Sequence, residues 1–199
     1  MSTAAAAHYT STGQDTRKIA FWTFIGSECL LFGTLIATYL LYEGKGVVGP
    51  TPQEILNIPL TSVSTFVLLM SSLAMVLALA AVQRGDNLYA KVWLAATAGL
   101  GATFLGFQAV EFTAFVHEGL TISTNLFGST FFVLTGCHGL HVLVGVIWLS
   151  TLLILAFRNK LRTEKSMNVE IAGLYWHFVD VVWIVIFTVV YLIQRGPTA

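Results

Sequence analysis

The sequence predicts an all-α membrane protein, a polytopic bundle of five transmembrane helices. Hydrophobic residues make up 56% of the 199 residues and charged residues only 10%, whereas an ordinary soluble domain carries roughly 25% charged residues. The apolar residues gather into five runs, each long enough to provide the roughly 20 residues that cross a hydrocarbon core. The net charge of zero offers no basic face, so nucleic acid is excluded as a partner.

The five runs predict spans over residues 19–42, 60–82, 92–116, 126–157 and 169–193. Prolines mark the gaps, because three of them separate the first two spans and one follows the last (Pro50, Pro52, Pro59 and Pro197). Residues 1–17 are polar and lack the basic start, apolar core and cleavage site of a secretory signal. We expect a mobile tail over residues 1–17 and a single membrane domain over residues 18–195.

Lysine and arginine residues predict the orientation of the chain. Eight of them fall on one side of the predicted membrane, and only Lys45 and Arg195 fall on the other. The eight are Arg17, Lys18, Arg84, Lys91, Arg158, Lys160, Arg162 and Lys165. Because basic loops stay in the cytoplasm, the N-terminus is predicted to be cytoplasmic and the C-terminus to lie outside.

Small residues recur along the third span. Ala95, Gly99, Ala102 and Gly106 follow one another at three- and four-residue spacing. Such a stripe lets helices approach closely in lipid, so we expect it to serve helix packing. The two cysteines lie inside apolar runs and are interpreted as small hydrophobic residues rather than a disulfide.

Six of the ionisable side chains inside the predicted spans are singled out, because such groups are costly in the membrane unless paired or hydrated. They are Glu28, Glu111, His138, His141, His177 and Asp180. Glu28 lies about 14 Å into the first helix at 1.5 Å per residue, close to the bilayer centre. Hydrogen bonds between helices or to a lipid headgroup are the preferred interpretation, because no chain of acids crosses the whole membrane. A proton or ion path is the alternative.

The histidines do not suggest a metal or haem site. His138 and His141 lie one turn apart on a single helix, whereas a haem held by two histidines needs them on opposing helices. His177 is one turn from Asp180, so we expect these two side chains to form a structural pair. No glycine-rich phosphate loop, zinc pattern or serine nucleophile motif occurs in the sequence, and no catalytic residue is assigned.

Four segments together resemble subunit III of the haem–copper terminal oxidases. The most specific runs from Leu174 to Trp183 (LYWHFVDVVW), and the segment from Thr135 to Val142 (TGCHGLHV) contains the Gly-x-His-Gly-x-His pattern of that family. Ser27 to Gly33 (SECLLFG) is similar to its buried-glutamate helix, and Gln108 to Phe112 (QAVEF) to its Gln-x-x-Glu-aromatic segment. The matches follow the order of the family and cover residues 18–195.

The resemblance implies a non-catalytic accessory subunit of an aa3-type oxidase in the bacterial cytoplasmic membrane. Haem and copper would be bound by partner subunits. The resemblance implies catalytic subunit I as a partner, together with subunit II and other small subunits. In the family, the helices form two groups around a cleft filled by phospholipid. By analogy Glu28 would lie beside that cleft, and the histidines with Asp180 would hold helices or lipid in place. The subunit would support sustained oxygen reduction and proton uptake.

Two departures from the family pattern and three rival functions remain. Cys137 occupies a position often held by Phe or Thr, which affects none of the expected contacts. Mitochondrial-type members have seven helices, whereas this chain has room for five, as in bacterial cytochrome c and quinol oxidases. Subunit III of a quinol oxidase is the nearest alternative, because electron donors are met by other subunits. A proton-coupled transporter using Glu28, Glu111 and Asp180 is more distant, since no paired inverted repeat is visible. A membrane cytochrome with one haem is the third.

Overall fold

The computed structural model describes residues 15–43, 56–159, 161 and 166–193. Within these ranges the chain forms five helices and no β-strand: α1 Thr16–Tyr42, α2 Ile58–Gln83, α3 Asn87–His117, α4 Leu126–Phe157 and α5 Ser166–Phe187. A π-helical turn, Thr188–Leu192, extends α5. All five helices are long and apolar enough to cross a membrane. The predicted five-helix transmembrane fold is therefore confirmed.

Side-chain caps set where four of the helices begin. Asp15, Asn57, Asp86 and Asn125 each accept a hydrogen bond from a backbone N–H in the first turn of the following helix. The Asp86 cap explains why α3 begins at Asn87 rather than at residue 92, since the apolar pattern alone does not register the cap. Most of the predicted tail lies outside the described residues, but Thr16 and Arg17 already belong to α1.

The helices divide into a tightly packed group and a more loosely attached one. Helices α2, α3, α4 and α5 enclose the core, with α2 against α3 and α5, and α4 against α3 and α5. Helix α1 packs on α4 and α5. Its buried residues within Thr16–Tyr42 are Ile25, Phe32 and Tyr39, each seven positions from the next. Two turns separate these positions, so α1 touches the bundle along one narrow line.

The glycines that matter for packing differ from the predicted stripe. Ala95, Gly99, Ala102 and Gly106 are exposed on the outside of the bundle, and a Cβ atom at Gly99 or Gly106 would meet nothing within 4 Å. The stripe therefore makes no close approach within the described part of the chain. The close approach occurs at Trp176 instead.

The buried indole of Trp176 fits between two helices because two glycines leave room for it. A Cβ atom at Gly101 of α3 would come 2.5 Å from Cη2 of Trp176, and one at Gly145 of α4 would come 2.7 Å from Cζ3. The indole is 1% exposed. These two glycines and Trp176 therefore fix the spacing of α3, α4 and α5.

Candidate functional site

Glu28 of α1 and His141 of α4 form a polar contact between the loosely attached helix and the packed group. Oε2 of Glu28 lies 3.1 Å from Nε2 of His141, and both side chains are mostly buried. Nδ1 of His141 lies 2.8 Å from the carbonyl oxygen of Cys137. Because a carbonyl only accepts, Nδ1 carries a proton. The contact with Glu28 then requires a second proton, shared between the imidazole and the carboxyl group.

A cavity of about 540 Å³ lies beside this pair. It is bounded by α1, α4 and α5, and its lining consists of Phe21, Phe24, Glu28, Leu140, His141, Val144, Trp148 and Tyr175. The Tyr175 hydroxyl donates to the carbonyl oxygen of His141 at 3.0 Å, which leaves Glu28 and His141 as the ionisable part of the wall. The cavity can therefore hold an apolar chain with one polar contact.

His177 and Asp180 do not form the direct pair that the sequence suggested. Nδ1 of His177 lies 2.6 Å from Oγ of Ser72 on α2, and the same hydroxyl interacts with the Asp180 carboxyl group. No ring nitrogen of His177 lies within 4.0 Å of a carboxylate oxygen of Asp180, although both residues lie in the described part of the chain. The expected pair is wrong in its geometry because a serine of the neighbouring helix stands between its members.

Two tryptophans fasten α5 to α2 in the same region. Nε1 of Trp176 donates to Ser71 Oγ, and Nε1 of Trp183 donates to Thr65 Oγ1, each at 2.9 Å. Both hydroxyls in turn donate to backbone carbonyls of α2. Sequence reasoning did not single out these hydroxyls, although serine and threonine recur along the second span and would have been the signal.

Glu111 joins three helices near the end of α3. Its Oε1 accepts hydrogen bonds from Thr61 Oγ1 at 2.8 Å and from the Tyr191 hydroxyl at 3.1 Å. Tyr191 lies in the π-helical turn, and the N–H of Ile193 bonds to the carbonyl of Thr188. A π-helical turn rotates the residues that follow it relative to a regular helix, and here it leaves both Val190 and Tyr191 buried.

His138 lies at the centre of the bundle and is fully buried. Its ring stacks on Trp183 with centroids 4.8 Å apart, and Phe104 packs edge-on at 5.9 Å. Neither ring nitrogen has a hydrogen-bond partner among the described residues. On α3, Gln108 donates from Nε2 to the carbonyl oxygen of Thr135 at 2.8 Å.

The six candidate residues thus fall into four places rather than one. Glu28 and His141 link α1 to α4, His177 and Asp180 meet Ser72 of α2, Glu111 links α3 to α2 and α5, and His138 lies alone in an aromatic cage. Within the described ranges, no three His, Cys, Asp or Glu side chains are grouped so that they could hold a metal ion. The arrangement is one of polar joints between helices.

Comparison with known proteins identifies the family of the chain. The profile of the family described as cytochrome c oxidase subunit III matches residues 1–195. The quinol oxidase subunit 3 of Bacillus subtilis (strain 168) is 40% identical over 192 residues, covering 96% of this chain and 94% of that protein. The cytochrome c oxidase subunit 3 of Bacillus sp. (strain PS3) is 42% identical over 174 residues, covering 87% and 84%.

A third relative shows that the degree of identity does not follow the electron donor. The cytochrome c oxidase subunit 3 of Bacillus subtilis (strain 168) is 41% identical over 175 residues, covering 87% of this chain and 84% of that protein. Relatives named for either donor are therefore equally similar to the chain.

Proposed function

We propose that the chain, which belongs to the cytochrome c oxidase subunit III family, is the non-catalytic accessory subunit of an aa3-type enzyme. The family makes it subunit III of a haem–copper oxidase in the bacterial cytoplasmic membrane. In this proposal it packs on catalytic subunit I, beside subunit II and other small subunits, and those partners hold the haem and copper. Its role is to sustain oxygen reduction and proton uptake through many turnovers.

The Glu28–His141 pair beside the apolar cavity carries this proposal. A polar pair at the wall of a lipid-facing cavity suits a bound phospholipid, whose acyl chain would fill the cavity while its polar part approaches the pair. Glu111, His177 and Asp180 take part in polar contacts between helices and His138 lies among aromatic rings, as expected for a subunit that supports structure rather than electron transfer. The high share of exposed apolar surface on α1 leaves room for lipid and for a partner subunit.

The proposal is tested by removing this chain from the oxidase. We expect the remaining complex to keep its haem absorption bands and its initial rate of oxygen consumption, and then to lose activity faster during turnover. Supplying the wild-type chain again restores the lifetime. The proposal fails if the initial rate is already lost while the haem bands are intact, or if the purified chain alone shows a Soret band or consumes oxygen with an electron donor.

A bound phospholipid in the cavity is tested by filling the cavity. Val144 and Leu143 are both exposed on the outside of the bundle, but only Val144 lines the cavity. Val144→Trp is expected to lower the phospholipid retained by the purified complex and to shorten its working life, while Leu143→Trp leaves both unchanged. Equal phospholipid content in the two variants would contradict lipid binding at this site.

The orientation is part of the same proposal and follows from the basic residues. A reporter that is active only outside the cytoplasm is expected to work when fused after Arg195 and to fail when fused within residues 158–165. The reverse pattern would overturn the assignment of a cytoplasmic N-terminus.

The electron donor is proposed to be cytochrome c, with quinol as the second candidate because relatives of both names are equally similar. The purified complex decides between them. Oxygen consumption with reduced cytochrome c and none with quinol supports the first, and the opposite pattern supports the second.

A further inference from the structure

The contact between Glu28 and His141 holds one proton more than a carboxylate and a neutral imidazole carry together. Nδ1 of His141 lies 2.8 Å from the carbonyl oxygen of Cys137, which can only accept, so the single proton of a neutral ring is already used there. Nε2 lies 3.1 Å from Oε2 of Glu28. A hydrogen bond between these two atoms needs a further proton, either on the nitrogen or on the oxygen.

The other groups that face the pair do not replace this proton. From α5, the Tyr175 hydroxyl donates to the backbone carbonyl of His141 and not to its ring. From α4, Sγ of Cys137 lies 3.9 Å from Nδ1 of His141, on the side of the ring away from the contact with Glu28. His138, one turn earlier on α4, stacks on Trp183. No lysine or arginine occurs inside the five predicted spans, so no fixed positive charge of this chain lies at the depth of the pair.

Loss of the proton breaks the contact. The lone pair of Nε2 then faces a carboxylate oxygen at 3.1 Å, and a mostly buried carboxylate is left without a donor, which is unfavourable in an apolar environment. Both side chains line the cavity, so the proton is not sealed inside the packed core. Without this contact, α1 keeps its ion pair from Lys18 to Glu170 and its three buried residues.

We propose that the Glu28–His141 contact is a pH-sensitive joint, which fastens the middle of α1 to α4 while it holds the extra proton and releases it when the pH rises. The released proton passes to the solvent, and the pair is left as a carboxylate and an imidazole protonated on Nδ1. The stabilisation is therefore present at low pH and lost on the alkaline side. The joint goes beyond the proposed function, because it requires neither bound lipid nor oxygen chemistry.

A substitution that supplies its own donor tests the joint. In Glu28→Gln the side-chain amide can donate to a bare Nε2 or accept from a protonated one, so the contact survives in either state. The thermal midpoint of the full chain in detergent is measured from about pH 6 to about pH 10, a range that brackets the ordinary titration of histidine. We expect the midpoint of the wild type to fall relative to that of Glu28→Gln as the pH rises.

Comparing the two chains at each pH removes the contributions of the groups that they share, such as Lys18, Glu170 and Tyr175. A difference between their midpoints that stays constant over the whole range overturns the proposal, because the contact would then neither gain nor lose a proton.

A substitution on the other side of the contact gives an independent test, which also serves if Glu28→Gln does not fold. In His141→Gln the amide donates to the Glu28 carboxylate without an extra proton, so the alkaline fall in midpoint is expected to disappear. Glu118→Gln is the matched control, since it makes the same change at an exposed carboxylate at the end of α3 and is expected to keep the wild-type response. A wild-type response in His141→Gln, or its loss in Glu118→Gln, contradicts the proposal.

Discussion

Helices α1 and α5 have the same length but are held in the bundle by different forces. Each spans 27 residues when the π-helical turn is included in α5. In the apolar 18-residue stretch of each helix, however, 11% of the residues are buried in α1 and 50% in α5. Helix α5 is held by interlocking side chains, above all Trp176 and Trp183, while α1 is held by three buried residues and a few polar contacts. In lipid, apolar contact alone drives association weakly, so packing fit secures α5 and polar contacts secure α1.

The largest effect is expected where the packed group has no spare room. Gly101→Ala places a methyl group against the ring of Trp176 and is expected to cost about 1–3 kcal/mol of stability through overpacking. Gly99→Ala is the matched control, because it brings the same gain in helix propensity but points away from the bundle. Thermal unfolding of the purified subunit in detergent measures both. Equal midpoints for the two variants would show that the Trp176 niche is not tight.

The next effect concerns the polar joint between α2 and α5. Ser72→Ala removes the hydroxyl that contacts the half-buried His177 and lies near the buried Asp180, and the loss of this polar partner is expected to cost about 1–3 kcal/mol. Ser62→Ala, which loses only a bond to the carbonyl of its own helical turn on an exposed face, is expected to be neutral. The same unfolding assay compares them, and a neutral Ser72→Ala would mean that Asp180 has another partner.

Asp180 itself allows a test of charge against hydrogen bonding. Asp180→Asn keeps the shape and an acceptor, so it is expected to be milder than Asp180→Ala, which removes both. Both variants are expected to reduce the amount of subunit in the purified complex before they change its oxygen chemistry. If Asp180→Asn stops turnover while the subunit stays fully bound, Asp180 carries protons and the structural assignment is wrong.

The smallest effect is expected at the start of α1. The Lys18–Glu170 pair is about one-third exposed on each side, and such ion pairs contribute about 0.2–1 kcal/mol and weaken with salt. Lys18→Gln is expected to lower slightly the salt concentration at which the subunit leaves the complex. Lys18→Arg is expected to leave that concentration unchanged. A large loss in Lys18→Gln would show that this end of α1 depends on the ion pair far more than its exposure suggests.

The fold was accessible from the sequence because the bilayer sets the length of each span, and the run from 126 to 157 coincides with α4. The partners of the buried polar residues could not be predicted from the sequence. Glu28 and His141 are 113 positions apart, and nothing local connects them. Ser72 reads as one more small residue in an apolar run, so the bridge between His177 and Asp180 was missed.

The glycines also show that the sequence alone does not identify which residues pack together. Gly99 and Gly101 are both glycines of one helix, and the three- and four-residue spacing favoured Gly99 as the packing position. Only the placement of Trp176, from a helix 75 positions further along the sequence, shows that Gly101 lies at the contact. Spacing identifies a face of small residues, but the neighbour that fills a gap has to come from the tertiary structure.

The distance between α1 and α3 tests most directly whether polar contacts hold α1. Double electron–electron resonance between two spin labels reports that distance, in a chain whose half-buried Cys137 has been replaced by threonine. One label is attached to Cys29, exposed on α1, and the other to a cysteine that replaces Ala102, exposed on α3. A second pair, at positions 102 and 185, reports α3 against α5.

In Glu28→Ala we expect the first distance distribution to broaden and the second to stay as in the wild type. An unchanged first distribution would contradict the account, because α1 would then be held by its three buried residues without the contact to His141.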